Sequence, residues 1–380
     1  MNKNIPLARP WLTGKEIEAV EEVLESRWWI QGPKVEEFEK RFAEYIGTKY
    51  AVAVNSCTAA LHVSLAALSV GARDEVIAPT FSFIASANAI LHQNARPVLA
   101  DIDPKTYNIN VDDLKKRITK KTKAIIPVHQ FGQPADMDQI MDLAERHNIP
   151  VIEDAACAHG AKYHGKNVGG IGRAGCFSFH PRKVICTGEG GIITTNDDEL
   201  AERACMIRSH GMTSETWIRT VSKSVKLPRF SVLGYNYRMS DIAAAIGLIQ
   251  LKHINEAVEK RIKVAERYNR GLEGISGIDV PFIIDGVKHV YQSYVPKVKP
   301  NCKLQRDELI LKLKEKGVAS QAGNQAIHLE PLYQSLFGYK LGDLPHGEEA
   351  NQTTISLPMY AEITDEEVDY VLNCLSKLVT

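Results

Sequence analysis

A chain of 380 residues and 42.2 kDa is too long for one small module and suits two domains, since a domain takes roughly 100–200 residues. Its 44% hydrophobic and 24% charged residues, with 26 Gly and 17 Pro, exclude a collagen or a disordered linker protein. Lysine plus arginine and aspartate plus glutamate both total 46, so no net field draws the chain to nucleic acid or an anionic membrane.

In chain order, Thr13 with Glu16 fits a capping box, after which Ile17, Val20, Val23 and Leu24 follow helical spacing. The aromatic turn from Ser26 to Ile30, holding Trp28 and Trp29, leads to the Gly32-Pro33 break and a second amphipathic helix carrying Phe38, Phe42 and Tyr45. The apolar runs Tyr50–Val54, Glu75–Ala78, Pro97–Ala100, Ala124–Val128 and Pro150–Ile152 then alternate with helical patterns, as in a parallel sheet covered by helices. Phe177–Phe179 and Gly191–Thr194 have no full helix between them and predict an antiparallel addition. The expected fold is α/β, with a mixed, mostly parallel sheet.

Helical periodicity from Asp241 to about Tyr268 leads into a composition shift between Gly271 and Gly286. Beyond it come a strand at Val290–Val295, a helix at Arg306–Lys316 and a last helix opened by a Thr364/Glu367 capping box. The chain thus divides into a large domain, 1–255, and a smaller α+β domain, 256–380. Its seven cysteines are odd in number and include no C-x-x-C pair, which predicts reduced thiols in a cytoplasm. The first twelve residues lack the apolar core of a signal peptide, and polar residues interrupt the apolar stretch Cys57–Ala72, so neither export nor a membrane span is expected.

The chemistry gathers at strand ends. Glu153 and Asp154 close an apolar strand, where α/β sheets place their ligand crevice, and alternation lets only one of them face a given side. Lys183 lies in a turn between Pro181 and Gly188, just after Ser178 at another strand end. The small-residue turn Asn55–Ala60, with Cys57 and Thr58, offers backbone amides and a positive helix end to a phosphate, or is a plain helix cap. The turn from Thr80 to Ile84 adds Phe81 and Phe83 at the same edge. A strand-end acid, a loop lysine, a phosphate cradle and an aromatic wall together are what holding pyridoxal phosphate requires. The lysine forms an imine with the aldehyde, and the carboxylate keeps the pyridine nitrogen protonated so that the ring accepts electrons.

These stretches, with Asp74–Pro79, Pro97–Asp103, Phe177–Gly191 and Gly234–Met239 in one order, resemble the DegT/DnrJ/EryC1/StrS sugar aminotransferases over nearly the whole length. That family lies within the fold-type I, aspartate aminotransferase-like pyridoxal phosphate enzymes. The resemblance implies a three-layer transferase fold, with Lys183 as the Schiff-base lysine, Asp154 as the pyridinium partner and Phe83 stacked on the ring. It further implies phosphate contacts from Ser178 and the amides of Cys57 and Thr58, and from Asn236 of a neighbouring subunit, hence a homodimer with shared active sites. Cys57 replaces a common Gly, Cys157 stands at the ring edge where Gln or His is frequent, and the segment from Ser320 to His328 lacks the family's H-Y-P pattern. The implied reaction moves an amino group from an amino acid, L-glutamate, to a nucleotide-linked ketosugar in amino-sugar or polysaccharide biosynthesis, with a cyclitol ketone as the alternative. Trp28, Trp29, His328 and the 209–232 loop are the candidate substrate contacts, and no metal is expected.

Three other motifs compete. Gly170-Ile-Gly-Arg-Ala-Gly175 matches a dinucleotide fingerprint with Asp197 downstream, but it leads into a strand rather than a helix. Asp101-Ile-Asp103 resembles a Mg²⁺-binding strand end, although two acids before a proline more often cap a turn. The basic cluster Lys115–Lys123 suggests a DNA-binding regulator, yet Asp112 and Asp113 at the start of the same helix complete an ordinary dipole pattern.

Overall fold

The computed structural model describes residues 4–213 and 229–379. Its central sheet runs in the order Tyr50–Val54, Gly191–Thr195, Ala174–Ser178, Ile152–Asp154. Single parallel bridges, Ile125 to Val151 and Val128 to Asp154, continue it into Thr122–Ile125, Glu75–Pro79 and Arg96–Ala100. Among the described residues of this sheet, only Gly191–Thr195 runs against its neighbours. The cause is local. The segment before it makes no crossover helix and turns back through a loop closed by Phe179 N–H to Gly190 O at 2.9 Å and Thr187 N–H to Phe179 O at 2.9 Å. The mixed, mostly parallel sheet is the one expected.

Helices cover this sheet and bury their apolar stripes against it. Phe38 and Phe42, four residues apart on the helix Pro33–Ile46, are fully enclosed and pack edge-on against Phe179 and Phe177. The first helix begins at Lys15, one residue later than the capping signal suggests. Glu16 still accepts the Thr13 N–H at 3.0 Å, but Gly14 occupies the cap with φ of 90°. The expected helix from Asp241 onward is two helices, Asp241–Lys252 and Ile254–Leu272, meeting at His253.

Ile254–Leu272 serves two cores. Ile254, Ala257 and Val258 join the cluster under the sheet, whereas Val264, Ala265, Tyr268 and Leu272 join a second cluster with Leu309, Leu313, Val371 and Leu375. Ile5 packs in that second cluster too, through a bridge to Val318. The helices Arg306–Glu315 and Asp365–Val379 form where expected, the latter opened by Thr364 and Glu367. Val290–Val295 is not a strand. Val290 N–H goes to Gly132 O at 3.1 Å, Tyr291 takes a left-handed φ of 46°, and only Tyr294 bridges Leu357. The segment gives its backbone to the turn at Gly132, and this welds the C-terminal part to the sheet edge. No helix among the described residues is long and apolar enough to cross a membrane.

Candidate active site

The two strand-end acids part company. Glu153 is fully buried and accepts N–H groups from Gly169 (2.7 Å), Ile171 (2.8 Å) and Gly172 (2.7 Å), and meets His129 Nε2 at 3.1 Å. His129 Nδ1 accepts the Ala135 amide, so Nε2 carries the proton toward Glu153. The glycine-rich run that resembles a dinucleotide fingerprint therefore wraps its amides around a carboxylate of this chain.

Asp154 faces the crevice. One oxygen, Oδ2, accepts the Ser86 hydroxyl at 2.7 Å and the other, Oδ1, accepts the Ala156 N–H at 3.1 Å. Each oxygen keeps a lone pair for an incoming donor. Burial pushes this carboxyl above its usual range, while the Ser86 hydroxyl, the Ala156 amide and the charge of Lys183 pull the other way.

Lys183 sits in the closed loop after Phe179, and its backbone N–H bonds His180 O at 2.9 Å. Gln292 Nε2 holds the same loop by the Arg182 carbonyl at 2.8 Å. The Lys183 amine donates to Cys157 Sγ at 3.1 Å, which brings the two residues together at the crevice. Its positive charge pulls the Asp154 carboxyl down against the larger effect of burial.

Beside them a cradle opens at the helix Cys57–Ala67. Ser56 caps it by accepting the Ala59 N–H at 3.1 Å, which leaves the Cys57 and Thr58 amides at the positive helix end. Gly191 pairs with Val54 on one side and Ser178 on the other, so Ser178 lies one strand away from this turn. A Cβ at Gly191 would lie 2.6 Å from the Cys57 nitrogen. Only glycine lets strand and helix end approach this closely. Burial pushes the Cys57 thiol well up, so it stays neutral.

Other candidates fall differently. Phe83 is 64% exposed, an aromatic face in the open immediately before the helix Ala85–His92. Asn236 is exposed, on a segment that lies along the end of the first strand through Asn55 N–H to Tyr237 O at 2.8 Å. Trp29 is half-exposed with Nε1 on Leu24 O, and Trp28 places Nε1 on Gln31 O at 3.1 Å. His328 is fully enclosed. Its Nδ1 meets Thr80 Oγ1 at 2.6 Å and its Nε2 meets Glu348 Oε1 at 3.0 Å. Both ring nitrogens are thus engaged inside the protein, and the ring fastens the C-terminal segment to the end of the strand Glu75–Pro79. Residues 214–228 of the 209–232 loop lie outside the described residues.

The competing motifs have local employment. Asp101 accepts the His346 (3.1 Å) and Gly347 (2.8 Å) amides, and Asp103 caps its own turn through the Lys105 (2.9 Å) and Thr106 (2.8 Å) amides. Arg117 pairs with Asp113 one turn earlier on its helix. Two residues near Asp154 escape a reading of the sequence: Ser86, and Ser82 behind it. Ser82 ends the short strand Phe81–Ser82 and Ser86 lies in the first turn of the helix Ala85–His92, so no single periodicity groups them.

Lysine and carboxylate at one crevice, with an amide cradle that a single Cβ would close, fit pyridoxal phosphate. Known proteins agree. The model of the DegT/DnrJ/EryC1/StrS aminotransferase family matches residues 10–376. The Bacillus subtilis spore coat polysaccharide biosynthesis protein SpsC is 40% identical over 380 residues, covering 100% of this chain and 98% of the relative. The Caulobacter vibrioides GDP-perosamine synthase is 39% identical, covering 99% of this chain and 98% of its own. Spr1654 of Streptococcus pneumoniae, solved in a PMP form, superposes with a TM-score of 0.93 at 31% identity over 99% of both chains, and a PLP form is also known. This chain belongs to the DegT/DnrJ/EryC1/StrS aminotransferase family and is a pyridoxal phosphate-dependent aminotransferase of the sugar-modifying kind.

Proposed function

We propose that the enzyme moves the amino group of L-glutamate to the ketone of a nucleotide-linked sugar. The observation that carries this reading is Asp154 at a strand end, each carboxylate oxygen with one donor and room for another, near the cradle of Cys57, Thr58 and Ser178 and within reach of the Lys183 charge. A relative named for a GDP-linked amino sugar supports the acceptor class. Bound pyridoxal phosphate supplies an aldehyde that takes up the amino group and a ring that accepts the electron pair left at the donor α-carbon.

The chain's own residues do the rest. Lys183 holds the cofactor covalently at rest. Freed by the donor, its neutral amine takes the α-proton and later returns a proton to the sugar carbon that becomes bonded to nitrogen. Asp154 would accept the ring N–H, and its charge would favour the protonated ring. Ser178 and the Cys57 and Thr58 amides would bind the phosphate, Phe83 would offer its ring to the cofactor, and Cys157 would lie beside it. Asn236 of the partner subunit would reach the same phosphate in a homodimer with shared active sites. Trp28 and Trp29 flank the sugar or nucleotide. The enzyme works in the cytoplasm, where its seven cysteines stay reduced.

The test loads the enzyme with glutamate and offers a panel of nucleotide ketosugars. Release of 2-oxoglutarate, followed by return of the resting absorbance with one sugar, is expected, with parallel-line initial-rate plots. Borohydride followed by peptide mapping should label Lys183. A label elsewhere, or turnover by Lys183→Ala at the wild-type rate, defeats the assignment.

A further inference from the structure

We propose that Ser86, backed by Ser82, is a positioning residue that fixes the orientation and ionisation of Asp154. This rests on the reading of Asp154 as the partner of the cofactor's ring nitrogen. Ser86 is 1% exposed and its hydroxyl lies 2.7 Å from Asp154 Oδ2, the shorter of the two hydrogen bonds to that carboxylate. A carboxylate only accepts, so the single Ser86 proton is committed to Asp154. The Ser82–Ser86 contact at 3.2 Å is then a donation from Ser82, and the two hydroxyls form a chain in which each bond strengthens the next.

The geometry needs both fixed oxygens. The Ala156 amide holds Oδ1 from the acid's own strand end, but one hydrogen bond leaves the carboxylate plane free to turn about it. Ser86 comes from the helix Ala85–His92 and holds the second oxygen, so the plane is set. Ser82 is itself anchored, because it pairs with Gln325 in a two-residue ladder and belongs to the segment that His328 fastens at Thr80. The orientation of the acid is thereby tied to the C-terminal segment across the crevice.

Charge argues the same way. The titratable groups that act on Asp154, or that it acts on, are Lys183, His129, Cys57 and Cys176. Cys57 and Cys176 are held neutral by burial, and His129 donates its Nε2–H as a hydrogen bond to Glu153. The amine of Lys183 is consumed when it holds the cofactor. Ser86 is then the side-chain hydroxyl left to favour the ionised carboxylate against its burial.

The test measures cofactor affinity and the pH midpoint of the bound cofactor's absorbance in Ser86→Ala, Ser86→Thr, Ser82→Ala, Asp154→Asn and the double variant Ser86→Ala/Asp154→Asn. A hydrogen bond to a charged group implies about tenfold weaker cofactor binding in Ser86→Ala, with a shifted midpoint. Ser86→Thr, which keeps the hydroxyl, should restore both, and Ser82→Ala should move them the same way by less. In the Asp154→Asn background the Ser86→Ala effect should vanish. An effect of undiminished size there, or unchanged affinity and midpoint in a folded Ser86→Ala, overturns the proposal while leaving the role of Asp154 intact. If Asp154→Asn itself binds cofactor with unaltered affinity and spectrum, the underlying reading fails. Should Ser86→Ala not fold, Ser82→Ala combined with Asp154→Asn carries the same comparison.

Discussion

Glu153 and Asp154 are consecutive acids on one buried strand, yet they live in opposite chemical worlds. Glu153 is saturated, with three backbone amides and a histidine N–H around its two oxygens. Asp154 has two donors and stands at the crevice that also receives the charge of Lys183. A carboxylate whose lone pairs are filled by its own chain is a structural anion, whereas one left partly unfilled at a strand end is available to a ligand. What separates the two roles is the remaining capacity to accept, not burial or residue type.

The comparison breaks first at Asp154. Asp154→Asn removes the acceptor charge without changing shape, so kcat should fall by about 10²–10³-fold while the melting temperature of the cofactor-free protein does not drop. Steady-state kinetics beside calorimetry will check this, and a folded variant with full kcat would erase the contrast between the acids. Stability also carries a pH signature. Because burial raises the Asp154 carboxyl in the folded state, the cofactor-free fold binds that proton more tightly than the unfolded chain does. Stability from this group is therefore present at low pH and lost as pH rises through the folded value. Melting curves should show cofactor-free Asp154→Asn gaining on the wild type as pH rises from about 4 to neutrality.

Glu153→Ala should do the reverse. It strands three amides and a histidine, and a loss of about 3–5 kcal/mol of stability is expected in denaturant unfolding of the cofactor-free protein. If the variant unfolds like the wild type, the saturated anion is not structural. A smaller effect sharpens the picture at the phosphate end. Gly191→Ala puts a Cβ 2.6 Å from the Cys57 nitrogen and should weaken cofactor binding by roughly tenfold through displacement of the cradle. Fluorescence titration with pyridoxal phosphate measures it.

Much of this was legible in residue order. The alternation of apolar runs and helical spacing predicts the sheet, and the missing helix between Ser178 and Gly191 predicts the strand that runs backward. Asp154 and Lys183 were readable as candidates because both sit where a strand or a tight loop ends. Val290–Val295 was misread because an apolar run looks like a strand whether its amides find a ladder or, as here, the turn at Gly132. His328 shows the same limit. Residue order offers it as a substrate contact but does not show that Thr80 and Glu348 engage both its ring nitrogens.

Local patterning, which depends only on neighbours three or four positions away, settled the elements, their order and the loops in which the acid and the lysine stand. Packing settled which acid turns inward, and that Ser86 and Cys157 meet Asp154 and Lys183. Those contacts join parts of the chain far apart in order. Hydrogen bonds of this kind depend on where whole helices come to rest, which no short window of residues encodes.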